Sequence, residues 1–168
     1  EVGYNYRMSN VIAGVIRGQY PHLEEHIAQK KAIYERYRDG LKDLPVKMNP
    51  IIDGALPNYW LSAMIIDEKY MCRQVRDDST ALFVAESGKT CPTEILQAIF
   101  ALNAEGRPIW KPMHLQPVFA EYDYVTEKDG CSVAADIFDR GFCLPSDIKN
   151  TDEDMDRIIR IVRGCFGK

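Results

Sequence analysis

Tyr59-Trp60-Leu61-Ser62-Ala63-Met64-Ile65-Ile66 decides the fold: it is a nearly unbroken apolar run, eight residues long and free of glycine and proline. A run of this length and composition reads as a strand buried on both faces, which requires cover from other elements. Helical patterns supply that cover on both sides of it. Upstream, after Tyr4-Asn5-Tyr6-Arg7, Ser9 is suited to cap a helix with Val11, Ile12, Val15 and Ile16 on one stripe. Gly14 and Gly18, four apart, suggest a close helix contact there. Pro21 ends or bends this helix. A long amphipathic helix follows, carrying Leu23, Ile27, Tyr34, Tyr37, Leu41 and Leu44, and past Pro45 a short strand is expected at Val46 to Met48.

Downstream, the stretch from Asp67 to Lys89 is polar and weakly patterned, and is read as helical around Tyr70 to Asp77 with a strand at Ala81 to Ala85. Thr90-Cys91-Pro92 opens a helix through about Asn103, with Ile95, Leu96, Ile99 and Phe100 as its buried stripe and Gly106 ending it. A short strand fits Pro108 to Trp110. Ser132 to Arg140 reads as a helix stopped at Gly141, followed by an apolar strand or turn, Phe142-Cys143-Leu144-Pro145. Thr151 and Asp154 form an acidic variant of the capping box ahead of Met155, Ile158, Ile159, Val162 and Phe166, a helix expected to pack as an outer layer. Helices alternating with short strands give an α/β fold, a small sheet covered by helices, and 168 residues suit one domain.

Composition excludes several function classes. The net charge of −4, with both signs interspersed, offers no continuous basic surface for nucleic acid. Five cysteines without a CxxC spacing signal neither a zinc site nor a disulfide framework, and read as buried, reduced thiols of a cytosolic protein. No apolar run is long enough to span a bilayer, and no signal-peptide pattern opens the chain. The first residue is Glu1 rather than Met, from which a truncated origin is expected. His22 and His26 share a helix face, but the order His-Leu-Glu-Glu-His is not the HExxH arrangement, so a solvated face is expected and no metal. GxSxG, Walker and GxGxxG motifs are absent.

Functional side chains are densest in Arg107-Pro108-Ile109-Trp110-Lys111-Pro112-Met113-His114-Leu115-Gln116-Pro117. Prolines stiffen this segment, while its cations, indole, imidazole and amide suit an anionic, ring-bearing ligand. The competing reading is a proline-rich connector whose Trp110 is core. Composition leaves the two even.

Three segments in this order, Gly3-Tyr4-Asn5-Tyr6-Arg7-Met8, Arg107 to Pro117 and Gly141-Phe142-Cys143-Leu144-Pro145-Ser146, with Pro57-Asn58-Tyr59-Trp60 between them, resemble the DegT-type sugar aminotransferase family over essentially the whole chain. The resemblance implies the C-terminal small domain of a fold-type I enzyme dependent on pyridoxal phosphate (PLP), dimeric, which moves an amino group from glutamate to a keto nucleotide-sugar. The Trp110 to Pro117 form looks closest to members acting on UDP-linked 4-keto-6-deoxy sugars, in cell-surface polysaccharide synthesis. Carried over, Asn5 donates to the PLP phosphate across the dimer interface with Arg7 in support, although a role in linking two domains fits Asn5 nearly as well. Trp110, Lys111 and His114 face the nucleotide-sugar, Lys111 against pyrophosphate and His114 against sugar or phosphate oxygens. The chain departs from the family in lacking a recognisable Ser-x-x-Lys loop, so the lysine that holds PLP is expected in a large domain upstream, and the isolated chain is expected to be inactive and to bind no PLP. A stand-alone nucleotide-sugar binding or regulatory module is the alternative. Exposed apolar surface on the first helix predicts self-association.

Overall fold

The computed structural model describes residues 3–77, 80–128 and 130–167. Among them, four strands pair antiparallel: β1 (Val46–Met48), β2 (Ser62–Ile66), β5 (Arg107–Pro108) and β6 (Gly141–Leu144), in the order β1-β2-β6-β5. Register sorts their side chains. Met64 sits opposite Phe142 and Ser62 opposite Leu144, so Ser62, Met64, Ile66, Phe142 and Leu144 share one face, joined by Val46 and Met48 through the pairs Val46–Ile66 and Met48–Met64. That face meets the core formed by helices α2 (Leu23–Leu41), α3 (Pro92–Ala101) and α5 (Asp152–Cys165). Ile33, Tyr37 and Leu41 enter it from α2, Ile95 and Ile99 from α3, and Met155, Ile158, Ile159 and Val162 from α5. Burying each aliphatic side chain contributes about 1.5–3 kcal/mol, so this three-helix layer carries most of the stability.

The opposite face of the sheet has thinner cover. Helix α4 (Val133–Arg140) runs directly into β6, and a Cβ added at Gly141 would point at the Ile137 carbonyl, which puts α4 on that side. Arg140 fastens it, its Nη1 donating to the Ile66 carbonyl at 2.6 Å while Nε reaches Asp136 at 2.7 Å. This short helix leaves Ala63 and Ile65 half-buried. The β2 region is therefore buried alternately rather than on both faces, and pairing starts at Ser62, three residues later than expected.

Local signals explain the helix ends. Ser9 caps α1 (Asn10–Gln19) by accepting from Ile12 N–H, and Thr151 and Asp154 complete a capping box at α5. Pro21 lies in a single 3-10 turn, Tyr20–His22, between α1 and α2. The α1 stripe of Val11, Ile12, Val15 and Ile16 is exposed, and a Cβ added at Gly14 or Gly18 would meet nothing within 4 Å, so the expected close contact at these glycines is not made among the described residues. Helix α3 ends at Ala101, and Asn103 in the left-handed region follows, three residues before Gly106. Of its expected stripe, Phe100 is exposed and Leu96 half-buried. The helix expected at Tyr70 to Asp77 is not formed. A 3-10 turn at Glu68–Tyr70 leads into β3 (Gln74–Arg76), which pairs with β4 (Ala81–Phe83), because tertiary anchors hold it: Gln74 accepts from Thr93 and donates to Asp139, and Arg76 donates to the Phe138 and Asp139 carbonyls. The strand expected at Pro108 to Trp110 is shorter and earlier, at Arg107–Pro108.

Cysteines divide by burial. Cys72, Cys91 and Cys143 are buried and Cys165 half-buried, but Cys131 is exposed, which corrects the expectation that all five are buried. Desolvation, with Cys91 beside it, pushes the Cys72 thiol up to about 12, and desolvation raises Cys165 to about 11. Only thiolate attacks a disulfide reagent. Titration of the folded chain with an aromatic disulfide at pH 8 is thus expected to show one fast thiol, lost in Cys131→Ser, with the others reacting after denaturation.

Candidate functional site

The N-terminal arm is shaped by an amide. Asn5 Oδ1 accepts the Arg7 N–H at 2.9 Å, closing a turn across Tyr6, whose φ of 52° lies in the left-handed region. The Asn5 side chain is exposed, and its Nδ2 has no acceptor among the described residues. Arg7 is exposed beside it, and the Tyr4 and Tyr6 rings lie 5.9 Å apart. An amide donor and a guanidinium side by side on a turn suit a phosphate dianion. Asn5 and Arg7 do not line the cleft described next, and α1, which carries the arm, buries no residue.

The same device recurs at the second site. Asn58 Oδ1 accepts the Trp60 N–H at 3.1 Å and Tyr59 has φ 52°, which swings the Trp60 indole out of the sheet. There it meets Trp110, ring centroids 5.7 Å apart and planes at 31°. Both indoles are exposed, by 62% and 63%, which removes the reading of Trp110 as core. They border a cleft of about 940 Å³ between α3, the β3–β4 hairpin and the segment after β5, lined also by Leu96, Phe100, Ile109 and Lys111. Arg107 stands at its rim, paired with Glu105 at 2.7 Å. Arg76 also lines it, but stacks over Phe138 at 4.6 Å and donates to backbone carbonyls, so it staples β3 to α4. Desolvation lowers the Arg76 pKa, against the opposing charge of Asp139.

Proline chemistry aims the rest of the segment. Pro112 leads into a 3-10 turn at Met113–Leu115, Pro117 opens a second, and Gln116 Nε2 donates to the Lys111 carbonyl at 3.2 Å. This fixes His114 against Tyr124, the rings parallel within 9° and 3.7 Å apart. His114 Nε2 lies 3.3 Å from Ser132 Oγ, which is also 3.3 Å from Tyr124 Oη. The chain thus brings Trp110 and Lys111 to one cleft, sets His114 a turn away on an aromatic support, and keeps Asn5 and Arg7 on a separate arm. Sequence reasoning did not single out Trp60, Tyr124 and Ser132 as site residues. The repeated Asn-Tyr pair was the available signal for Trp60; nothing local signals the other two. His22 and His26 stack at 6.1 Å on α2 and its preceding turn, and no group of three or more metal-ligating side chains occurs among the described residues. No helix among them is long and apolar enough to cross a membrane.

Comparison with known proteins fits this arrangement. Residues 1–163 match the DegT/DnrJ/EryC1/StrS aminotransferase family. The chain is 32% identical over 167 residues to a putative pyridoxal phosphate-dependent aminotransferase, EpsN, of Bacillus subtilis, covering 99% of this chain and 38% of EpsN. It is 27% identical over 165 residues to GDP-perosamine synthase of Vibrio cholerae, covering 98% of this chain and 39% of that protein. Its fold superposes on a crystal structure of DesI in the presence of its TDP-sugar product with a TM-score of 0.74 at 19% identity, over 99% of this chain and 38% of that one. The chain therefore spans about two fifths of the length of these relatives. With a family match that takes in the arm, the cleft and the His114 support together, the chain belongs to the DegT/DnrJ/EryC1/StrS aminotransferase family.

Proposed function

We propose that this chain is the C-terminal, small domain of a PLP-dependent aminotransferase that transfers an amino group from glutamate to a keto nucleotide-sugar, as a cytoplasmic homodimer serving cell-surface glycan synthesis. A UDP-linked 4-keto-6-deoxy sugar is the proposed substrate. The observation that carries this reading is the Trp110–Lys111 corner: an exposed indole and an ammonium on a proline-stiffened segment beside an open cleft, which suits a sugar ring joined to pyrophosphate. GDP-perosamine synthase by its name, and DesI by its TDP-sugar product, concern nucleotide-linked sugars, in agreement with it.

PLP supplies an electron sink that stabilises charge at the amino-acid Cα. The chain's own residues bind and orient. Asn5 Nδ2 and Arg7 hold the cofactor phosphate from the partner side, Lys111 neutralises pyrophosphate, His114 donates to a sugar or phosphate oxygen, and the Trp110 face excludes water along one wall. The lysine that carries the cofactor is proposed to lie in a large domain outside these residues. A Schiff-base lysine works by losing its proton in a desolvated pocket, and none of the described lysines is buried.

Incubating the chain with PLP, glutamate and a UDP-linked keto-sugar is expected to give no transamination, and borohydride reduction followed by peptide mass spectrometry no pyridoxyl-lysine. A specific pyridoxyl adduct together with turnover would overturn the assignment. Restoring the large domain should restore both. Calorimetry with UDP separates the alternative: a stand-alone binding module would bind it with micromolar affinity, whereas half of a shared site binds at millimolar strength or weaker.

A further inference from the structure

Ser132 sits at a junction of three hydrogen bonds. It is the N-cap of α4, its Oγ accepting the Ala135 N–H at 3.2 Å, and the same oxygen lies 3.3 Å from both His114 Nε2 and Tyr124 Oη. A serine hydroxyl has two acceptor lone pairs and one proton. One lone pair is taken by Ala135, leaving one acceptor site and one proton to be shared between a phenol and an imidazole. A phenol hydroxyl is a stronger donor than an aliphatic one, and an imidazole nitrogen is a stronger acceptor than a phenol oxygen. The chain of bonds that matches donor to acceptor strength therefore runs from Tyr124 O–H to Ser132 Oγ, and from Ser132 O–H to His114 Nε2. In this order every bonding site of the serine is used. Nε2 is then an acceptor, and the ring proton must be on Nδ1, which has no partner among the described residues.

The geometry points to Tyr124 and Ser132 as positioning residues that hold His114 as the neutral Nδ1–H tautomer, a ready donor toward an anionic oxygen of the substrate. Parallel stacking on Tyr124 fixes the plane of the ring, and Ser132 fixes its rotation within that plane. Because Ser132 is anchored by α4 rather than by the proline-rich segment, the direction of the donor is set from outside that segment. The use of this donor rests on the reading of His114 as an oxygen-binding residue; the tautomer itself does not.

Long-range proton–nitrogen correlation spectra of the labelled chain, taken about two units above the ordinary histidine pKa of about 6.5, read the tautomer directly. His114 is expected to show a protonated Nδ1 and a bare Nε2. Ser132→Asp keeps an N-cap oxygen but can only accept, so it should exchange the two signals, moving the proton to Nε2, while Ser132→Thr should preserve the wild-type pattern. Tyr124→Phe keeps the ring support and should weaken the preference. A protonated Nε2 in the wild-type chain, or a pattern indifferent to Ser132→Asp, overturns the relay. Adding UDP to the protein with its large domain restored tests the other reading separately: a shift of the His114 Nδ1 proton supports oxygen binding, and an Nδ1–H tautomer that UDP leaves unmoved upholds the relay while counting against the substrate assignment.

Discussion

Truncation of Phe142 to alanine is expected to lower the unfolding free energy by about 3–5 kcal/mol, measured by urea denaturation followed by circular dichroism. Phe142 is fully buried in β6, opposite Met64 on the helix-facing side of the sheet, within the cluster that joins α2, α3 and α5. Removing a buried ring costs the transfer energy of its carbons and adds a cavity that three helices and a sheet cannot easily close. Small domains have in total about 5–15 kcal/mol of stability, so this one change takes a large share of it. Phe142→Leu keeps most of the volume and should cost less than half as much. Equal losses for the two variants would show that the site is not the tightly packed centre described.

Gly141→Ala is expected to destabilise by about 2–3 kcal/mol despite adding one methyl group. The new Cβ would press on the backbone carbonyl of Ile137 and come within 2.7 Å of Ile109 Cγ1. Neither can step aside freely, since α4 continues into β6 without a loop and Ile109 precedes Trp110 in the site segment. The contrast is Gly40→Ala, whose Cβ meets side-chain atoms of Ile159 alone, Cδ1 at 2.7 Å and both Cγ atoms at 3.2 Å, with no backbone in the way, and should cost under about 1.5 kcal/mol. Strain at Gly141 should also move Ile109. Tryptophan fluorescence, which in this chain comes from Trp60 and Trp110 alone, is therefore expected to change in Gly141→Ala and to stay constant in Gly40→Ala.

Helix α5 was the most legible part of the fold, because its cap and its buried stripe are both local. Thr151 pairs with Asp154, and Met155, Ile158, Ile159, Val162 and Phe166 are all buried as the spacing requires. The β3–β4 hairpin was half legible: β4, Ala81–Phe83, falls within the strand expected at Ala81 to Ala85, whereas β3 is three residues long and its Gln74 and Arg76 are fixed by partners more than fifteen residues away. Helix α1 lies between these cases. Its amphipathic stripe and Ser9 cap were read correctly as local structure, yet nothing among the described residues covers the stripe. The site divides likewise. Density of functional groups marked residues 107 to 117, while Trp60, Tyr124 and Ser132 join Trp110 and His114 through contacts that no sequence spacing encodes.

The two Asn-Tyr turns separate shape from charge. Each uses only the side-chain oxygen to bend the backbone, at Asn5 toward Arg7 and at Asn58 toward Trp60. Aspartate offers the same oxygen, so Asn5→Asp or Asn58→Asp would leave its bend standing. At position 58 that replacement is expected to be silent, since the amide nitrogen pairs with no group among the described residues. At position 5, where the amide is proposed to face the cofactor phosphate, it would turn a hydrogen-bond donor into a negative charge, so aspartate would be felt at one asparagine and pass unnoticed at its twin.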